Sequence, residues 1–259
     1  MRVFAMMLLM LAALPGQGSQ WQENEELAAV FAEVKGTFVL HDVAAERYQV
    51  HDRARAERRF VPASTFKVVN SLIGLSVGAV QDVSEVIPYD GRPVWRQAWA
   101  RDMDLRQAIK VSNVALYQVL AERIGLERMA ENVRRLGYGN QDVGDKVNRF
   151  WLDGPLAISA REQVDYLAKL ALGKLPFPAK AQAQVRDILL LEQGDGWRLY
   201  GKTGMGPGKD SKWLGWWVGW VEKEGRVYSF ALNVDMADAS LASKRIELGQ
   251  AALRALGVL

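Results

Sequence analysis

With 259 residues, 49% of them hydrophobic, the chain can bury one sizeable core, in one domain of one or two lobes. A net charge of +3, carried by scattered arginines, is not the concentrated basic stripe of a nucleic-acid binder, so no nucleic-acid partner is expected. The absence of cysteine excludes disulfides, thiol catalysis and thiolate metal sites.

Arg2 is followed by an apolar run from Val3 to Leu14, then by Pro15-Gly16-Gln17-Gly18-Ser19-Gln20, whose small residues suit cleavage. That pattern predicts a secretory signal peptide over residues 1–20 and a periplasmic product. No later apolar run is long enough to span a bilayer, so no membrane partner is expected once the leader is gone. Residues 21–259 then form a single two-lobed catalytic domain. Trp21 to Val34 reads as a short amphipathic helix. Gly36 to Val43 and Arg47 to His51 read as two strands joined by a turn, and they carry the only histidines, His41 and His51. Ten apart and without a carboxylate pattern, these are poor metal ligands.

A charged, loop-like segment, Arg53 to Arg59, leads into a helix over Phe66 to Val77. A connector rich in Gly, Pro and Trp follows, from Gly78 to Arg101. Asp104 with Gln107 resembles a capping box, a second helix starts near Ser112-Asn113, and a third runs from Leu126 to Leu136, closed by Gly137. Tyr138-Gly139-Asn140 is a turn sequence, and Phe150-Trp151-Leu152 opens an aromatic stretch ended by Gly154-Pro155. Ser159 with Glu162 caps a helix ending at Gly173, and Pro178 to Glu192 is a further helix. Strands are predicted over Trp197 to Thr203, Lys212 to Glu222 and Arg226 to Met236. The middle one is apolar on both faces, with Leu214, Trp216, Val218 and Trp220 on one and Trp213, Trp217 and Val221 on the other, as in a covered sheet. Leu241 to Leu256 closes the chain as an amphipathic helix. The fold class is therefore α+β: an antiparallel sheet flanked by terminal helices, with an all-helical lobe inserted over roughly residues 64–190.

The chemistry gathers on three short motifs: Ser64-Thr65-Phe66-Lys67, Ser112-Asn113-Val114 and Lys202-Thr203-Gly204. Serine and lysine three apart share one helix face, so Lys67 can reach back over Ser64. A serine needs a base, and a lysine becomes one in apolar surroundings such as Phe66, Val68 and Val69 supply. S-x-x-K alone is a weak signal; its pairing with the rarer K-T-G is far more informative. Ser112 can relay a proton, Lys202 supplies positive charge, and Thr203 can hydrogen-bond a substrate carboxylate.

Together with Tyr138-Gly139-Asn140 and Phe150-Trp151-Leu152, the three motifs make essentially the whole mature chain resemble the class D (oxacillinase-type) serine β-lactamases. The transpeptidase-like β-lactamase fold is implied by that resemblance. So is the activity: opening of a β-lactam amide through an acyl-enzyme on Ser64, giving antibiotic resistance. It further implies a carboxylated Lys67 as general base for acylation and deacylation, a requirement for carbon dioxide or bicarbonate, and no other cofactor or metal. Trp151 would bond the carbamate, Val114 would cap its apolar pocket, and Leu152, Gly204 and Thr203 would face substrate. The oxyanion hole would be the backbone N–H groups of Ser64 and Met205, and Arg245 would bind the substrate carboxylate.

Three rivals are weighed against this reading. A class A-like enzyme needs a Glu-x-x-x-Asn, which the chain lacks. Gly74-Leu75-Ser76-Val77-Gly78 fits the nucleophile elbow of an α/β-hydrolase, but it continues a helix and no histidine follows residue 51. A soluble penicillin-binding protein or β-lactam sensor stays open, as does a periplasmic small-anion binding protein; stable acylation without turnover marks the first, and no acylation at all the second. Monomer and homodimer are both compatible with the sequence.

Overall fold

The computed structural model describes residues 20–209 and 211–259. In chain order the elements are β1 (Gln20–Glu23), α1 (Glu25–Val30), β2 (Gly36–Asp42), β3 (Arg47–His51), α2 (Arg53–Glu57), a 3-10 turn (Ala63–Phe66) and α3 (Lys67–Ser76). A second 3-10 turn (Gln97–Trp99), α4 (Leu105–Val111), α5 (Val114–Ile124), α6 (Leu126–Leu136), α7 (Ala160–Ala171) and α8 (Ala179–Leu189) follow. The chain ends with β4 (Leu190–Gly194), β5 (Trp197–Pro207), β6 (Trp213–Lys223), β7 (Arg226–Met236), a 3-10 turn (Ala239–Ser243) and α9 (Lys244–Ala255).

The seven strands form one sheet in the order β1-β3-β2-β7-β6-β5-β4. Every pairing is antiparallel except β1 with β3, which run parallel. β6 lies inside the sheet, and its two faces divide as alternation predicts. Leu214, Trp216, Val218 and Trp220 enter the large core under the helical lobe. Trp217 and Val221 enter a smaller core beneath the terminal helices α1 and α9. On that second face Gly249 of α9 sits so close to the Trp217 ring that a Cβ would lie 2.1 Å from it, which sets how tightly the last helix docks.

The expected signal peptide lies outside the described residues except for its last one, Gln20, which opens β1. Among the described residues no helix is long and apolar enough to cross a membrane.

Several elements differ from the sequence expectation. The predicted helix over residues 21–34 is a strand followed by a short helix. Asn24 takes the amides of Glu26 and Leu27 as an N-cap, and ahead of it Trp21 stacks on Tyr48 at 4.8 Å, holding Gln20–Glu23 against β3. The segment at 53–59 is not a loop but holds α2, capped by the Asp52 side chain on the Arg55 amide. Residues 190–192 leave the predicted last helix of the lobe to start β4, an edge strand whose pairing with β5 supplies the hydrogen bonds a longer helix would have made. β5 in turn runs four residues past its expected end. Finally, α7 packs on β2, β6 and β7, with Ser229 Oγ donating to the Val164 carbonyl at 2.9 Å, so it belongs to the sheet's own layer. The caps at Asn113 on α5, Gly137 closing α6 and the full capping box of Ser159 and Glu162 on α7 stand as read, while Asp104 caps α4 through its own side chain on the Gln107 amide only.

Candidate active site

Ser64 lies in the first 3-10 turn, where residues three apart are eclipsed, and Lys67 is the first residue of the α-helix that continues it. Lys67 Nζ is 2.9 Å from Ser64 Oγ. Ser112 is the joint between α4 and α5 and holds φ 53°, a left-handed conformation unusual for a residue with a side chain. The bend turns both its oxygens toward Lys67, which donates to the Ser112 carbonyl at 2.6 Å and to its Oγ at 2.9 Å. Such strain persists only where neighbours over-determine it. Here the next residue does so: Asn113 Oδ1 accepts from the Leu116 amide at 3.1 Å, and its Nδ2 donates to the Trp99 carbonyl at 3.2 Å.

The third motif arrives on β5. Lys202 pairs across the strand with Val218, so its side chain shares the face of the helical lobe. It donates to Ser112 Oγ at 3.0 Å and to the Thr203 carbonyl at 2.8 Å, which leaves one hydroxyl between two amines. β4 pairs with β5 only as far as Tyr200, so the edge beyond it faces the Ser64 turn instead. That approach favours glycine. A Cβ on Gly204 would lie 3.1 Å from the Pro62 carbonyl oxygen and from the Thr65 methyl, and one on Gly206 would lie 3.2 Å from Ala63 Cβ.

The electrostatics follow from burial. Lys67 is fully buried, with the rings of Tyr117 and Trp99 5.5 and 6.0 Å from its nitrogen. Loss of water, then the cations of Lys202 and Arg96, push its pKa far below that of a free lysine. Burial and then Arg245 push Lys202 down to about 7. Arg245 is itself depressed to about 10, by burial and then by Arg96. Its guanidinium donates to the carbonyls of Gly204 and, at 2.6 Å, Ala242.

Ser64, Lys67, Ser112 and Lys202 are thus brought into direct contact, and Arg245 joins them through Gly204. Trp151 is fully buried and stacks on Phe66, one residue from Lys67, at 5.5 Å. Its Nε1 has no hydrogen-bond partner among the described residues. Val114 is the half-buried first residue of α5, and Leu152 is half-buried beside Gly206. Thr203 and Met205 pair with Trp217 and Gly215; the Thr203 hydroxyl still lies 3.5 Å from Lys202 Nζ, whereas the Met205 side chain packs toward the terminal helices. Only its backbone is left to the cleft. His41 and His51 are spent in ring stacks, on Tyr48 at 4.2 Å and Phe31 at 4.9 Å. The Ser76 hydroxyl bonds back to the Leu72 carbonyl within α3, as helix packing rather than a nucleophile elbow requires. Among the described residues no three His, Asp or Glu side chains are grouped so as to hold a metal ion.

Comparison with known proteins agrees with this geometry. The family model of the penicillin binding protein transpeptidase domain matches residues 27–253. The chain is similar to Beta-lactamase OXA-10 of Pseudomonas aeruginosa, 39% identical over 232 residues that cover 89% of this chain and 86% of that one. It is also similar to Beta-lactamase OXA-48 of Klebsiella pneumoniae, 39% identical with 91% of each chain covered. Among solved structures it superposes on FUS-1 (OXA-85), a class D β-lactamase from Fusobacterium nucleatum subsp. polymorphum, with a TM-score of 0.88 and 42% identity over 92% of this chain and 100% of that one. The chain belongs to the class D β-lactamases. It is a serine hydrolase by membership of that family.

Three residues of this class D site were not singled out in the sequence. Tyr117 and Trp99 wall the Lys67 amine, and Arg96 lies over the Trp99 ring at 5.6 Å, while Asn113 of the second motif ties Trp99 to the Ser112 bend. One signal was available for Trp99 and Arg96: a Trp-Arg-Gln-Ala-Trp cluster is out of place in a Gly- and Pro-rich connector unless it packs on something.

Proposed function

We propose that this class D enzyme hydrolyses β-lactam antibiotics through an ester on Ser64, and so confers resistance to them. One observation carries the reading. The Lys67 amine is buried without a counter-charge and touches both serine hydroxyls, which is a poor arrangement for stability and a good one for moving protons. In acylation Ser64 Oγ loses its proton toward Lys67 and bonds to the β-lactam carbonyl carbon. The backbone N–H groups of Ser64 and Met205 receive the oxyanion. As the C–N bond breaks, Ser112 Oγ gives its proton to the leaving nitrogen and takes one from Lys202, the two being 3.0 Å apart. Lys202, Thr203 and Arg245 hold the substrate carboxylate beside Gly204, while Val114 and Leu152 form apolar walls. Lys67 then passes the proton it took from Ser64 through the Ser112 hydroxyl to Lys202, which resets both amines. In deacylation a water loses its proton toward Lys67 and attacks the ester carbonyl, and as the ester C–O bond breaks Ser64 Oγ takes that proton back from Lys67.

The residues present fit a carboxylated Lys67. Burial favours the neutral amine, the form that adds carbon dioxide, and the unpaired Trp151 Nε1 is a donor suited to the carboxylate that results. When formed, that group would supply a carboxylate-type base beside Ser64. Export by a leader over residues 1–20, periplasmic residence and a single catalytic domain over residues 21–259 belong to the same proposal.

The test is turnover of a chromogenic cephalosporin with and without bicarbonate, together with NMR in labelled bicarbonate. Activity lost at low pH should return on adding bicarbonate, with a carbamate carbon signal that Lys67→Met abolishes. Ser64→Ala should end hydrolysis while still binding substrate. Indifference to bicarbonate with no carbamate signal would remove the base, and a stable acyl-enzyme without turnover would make the protein a penicillin-binding protein instead.

A further inference from the structure

The cleft holds more positive charge than the proposed reaction uses. Lys67, Lys202 and Arg245 each have a place in it, whereas Arg96 does not. Arg96 lies on the connector, is exposed, and has its guanidinium carbon 5.6 Å from the centre of the Trp99 ring, the same ring that stands 6.0 Å from Lys67 Nζ. Among the described residues its side chain makes no ion pair and no hydrogen bond, so that ring is its one neighbour of note. Beside it Trp95 is 75% exposed, the most open of the large apolar side chains, and meets Trp99 edge-on at 5.7 Å and 63°. Trp99 itself is anchored, its Nε1 donating to the Val111 carbonyl at 3.1 Å and its own carbonyl accepting from Asn113.

The arrangement is an aromatic surface with a guanidinium over its edge, beside the wall of the reacting lysine. A guanidinium placed over an indole and otherwise unpaired has its N–H groups free for a carboxylate, and an exposed indole offers a face to an aryl ring. We infer that Trp95 and Arg96 form a subsite for the acyl side chain, and that it takes β-lactams whose side chain carries an aryl ring with a carboxylate on the adjoining carbon. This rests on the β-lactamase reading above. The charge of Arg96 does reach the cleft, since it helps to depress both Lys67 and Arg245. A side-chain carboxylate bound there neutralises part of a crowded positive field, which a substrate with a single carboxylate leaves in place.

Benzylpenicillin and α-carboxybenzylpenicillin differ by that one carboxylate, so the ratio of their kcat/KM values isolates it. Arg96→Gln should lower the ratio of carboxylated to plain substrate by about threefold to fivefold, the range of an exposed ion pair, and Arg96→Lys should recover part of the loss. In the unmutated enzyme the ratio should itself fall as salt is raised to about 0.5 M, because the contact is screened. Trp95→Ala should reduce kcat/KM for both substrates, since both carry the aryl ring. A ratio indifferent to Arg96→Gln and to salt overturns the subsite while leaving the enzyme in place. If the unmutated protein neither opens nor is acylated by either penicillin, the hydrolase reading fails and the subsite falls with it.

Discussion

Two buried cationic regions of this protein behave in opposite ways. Beneath the sheet, Arg55 is 4% exposed and fully answered: it donates to Asn233 at 2.9 Å, grips Asp235 with two nitrogens at 2.7 and 3.1 Å, and lies over Phe60. In the cleft, Lys67 and Lys202 are equally hidden but meet hydroxyls, carbonyls, aromatic rings and other cations, with no carboxylate among the described residues hydrogen-bonded or ion-paired to them. The first arrangement satisfies each charge and ties α2 to β7. The second leaves charge unsatisfied and so makes its protons mobile. Burial of a cation says little by itself; the missing counter-ion is what points to chemistry.

That contrast is open to direct attack. The largest effect should come from Lys67→Met, which removes the uncompensated charge and keeps the volume. Turnover should fall by at least about 10⁴-fold, while Tm in a thermal melt rises. The sign follows from linkage: the folded pKa lies below the unfolded value, so below the unfolded pKa the unfolded chain binds more protons and the wild type is penalised; that penalty vanishes with the amine. Next, Arg55→Met should do the reverse. Leaving Asp235 with only Lys35, at 3.6 Å, as a charged partner should cost about 3 kcal/mol in denaturant unfolding, with kcat per folded molecule retained. A Lys67→Met protein no more stable than wild type, or an Arg55→Met protein that melts normally, would erase the distinction.

The smallest effect concerns pH. If protonated Lys202 helps to bind substrate, kcat/KM should decline on the alkaline side with an apparent pKa near its folded value of about 7. Arg245 depresses that value, so Arg245→Gln should move the alkaline limb to higher pH while raising KM. A limb that stays in place would show that the two cations are not coupled.

What the sequence disclosed was local. Ser64 and Lys67 are three residues apart, the caps at Asp104, Asn113 and Ser159 act within one turn, and the two apolar faces of β6 can be read by alternation. What it hid was decided by distant partners. β1 exists because Trp21 finds Tyr48 and β3, and β4 begins where β5 offers a ladder. Trp99 and Arg96 sit in a stretch without periodicity, and only the fold carries them over Lys67. Arg245, placed by its spacing from the C-terminus, does lie against Gly204, because α9 docks over β6 and β7 where Gly215 leaves room for its aliphatic stem.

The bare backbone at Gly204 and Gly206 has a last consequence. The gap between nucleophile and strand is set by two side chains that do not exist, so its width has no adjustable part. A methyl group at either position would have to push the nucleophile's turn aside. A new side chain is more easily housed at Trp95 or Arg96, which are exposed, or at the half-buried Leu152. The floor has little room to spare, and the rim has more.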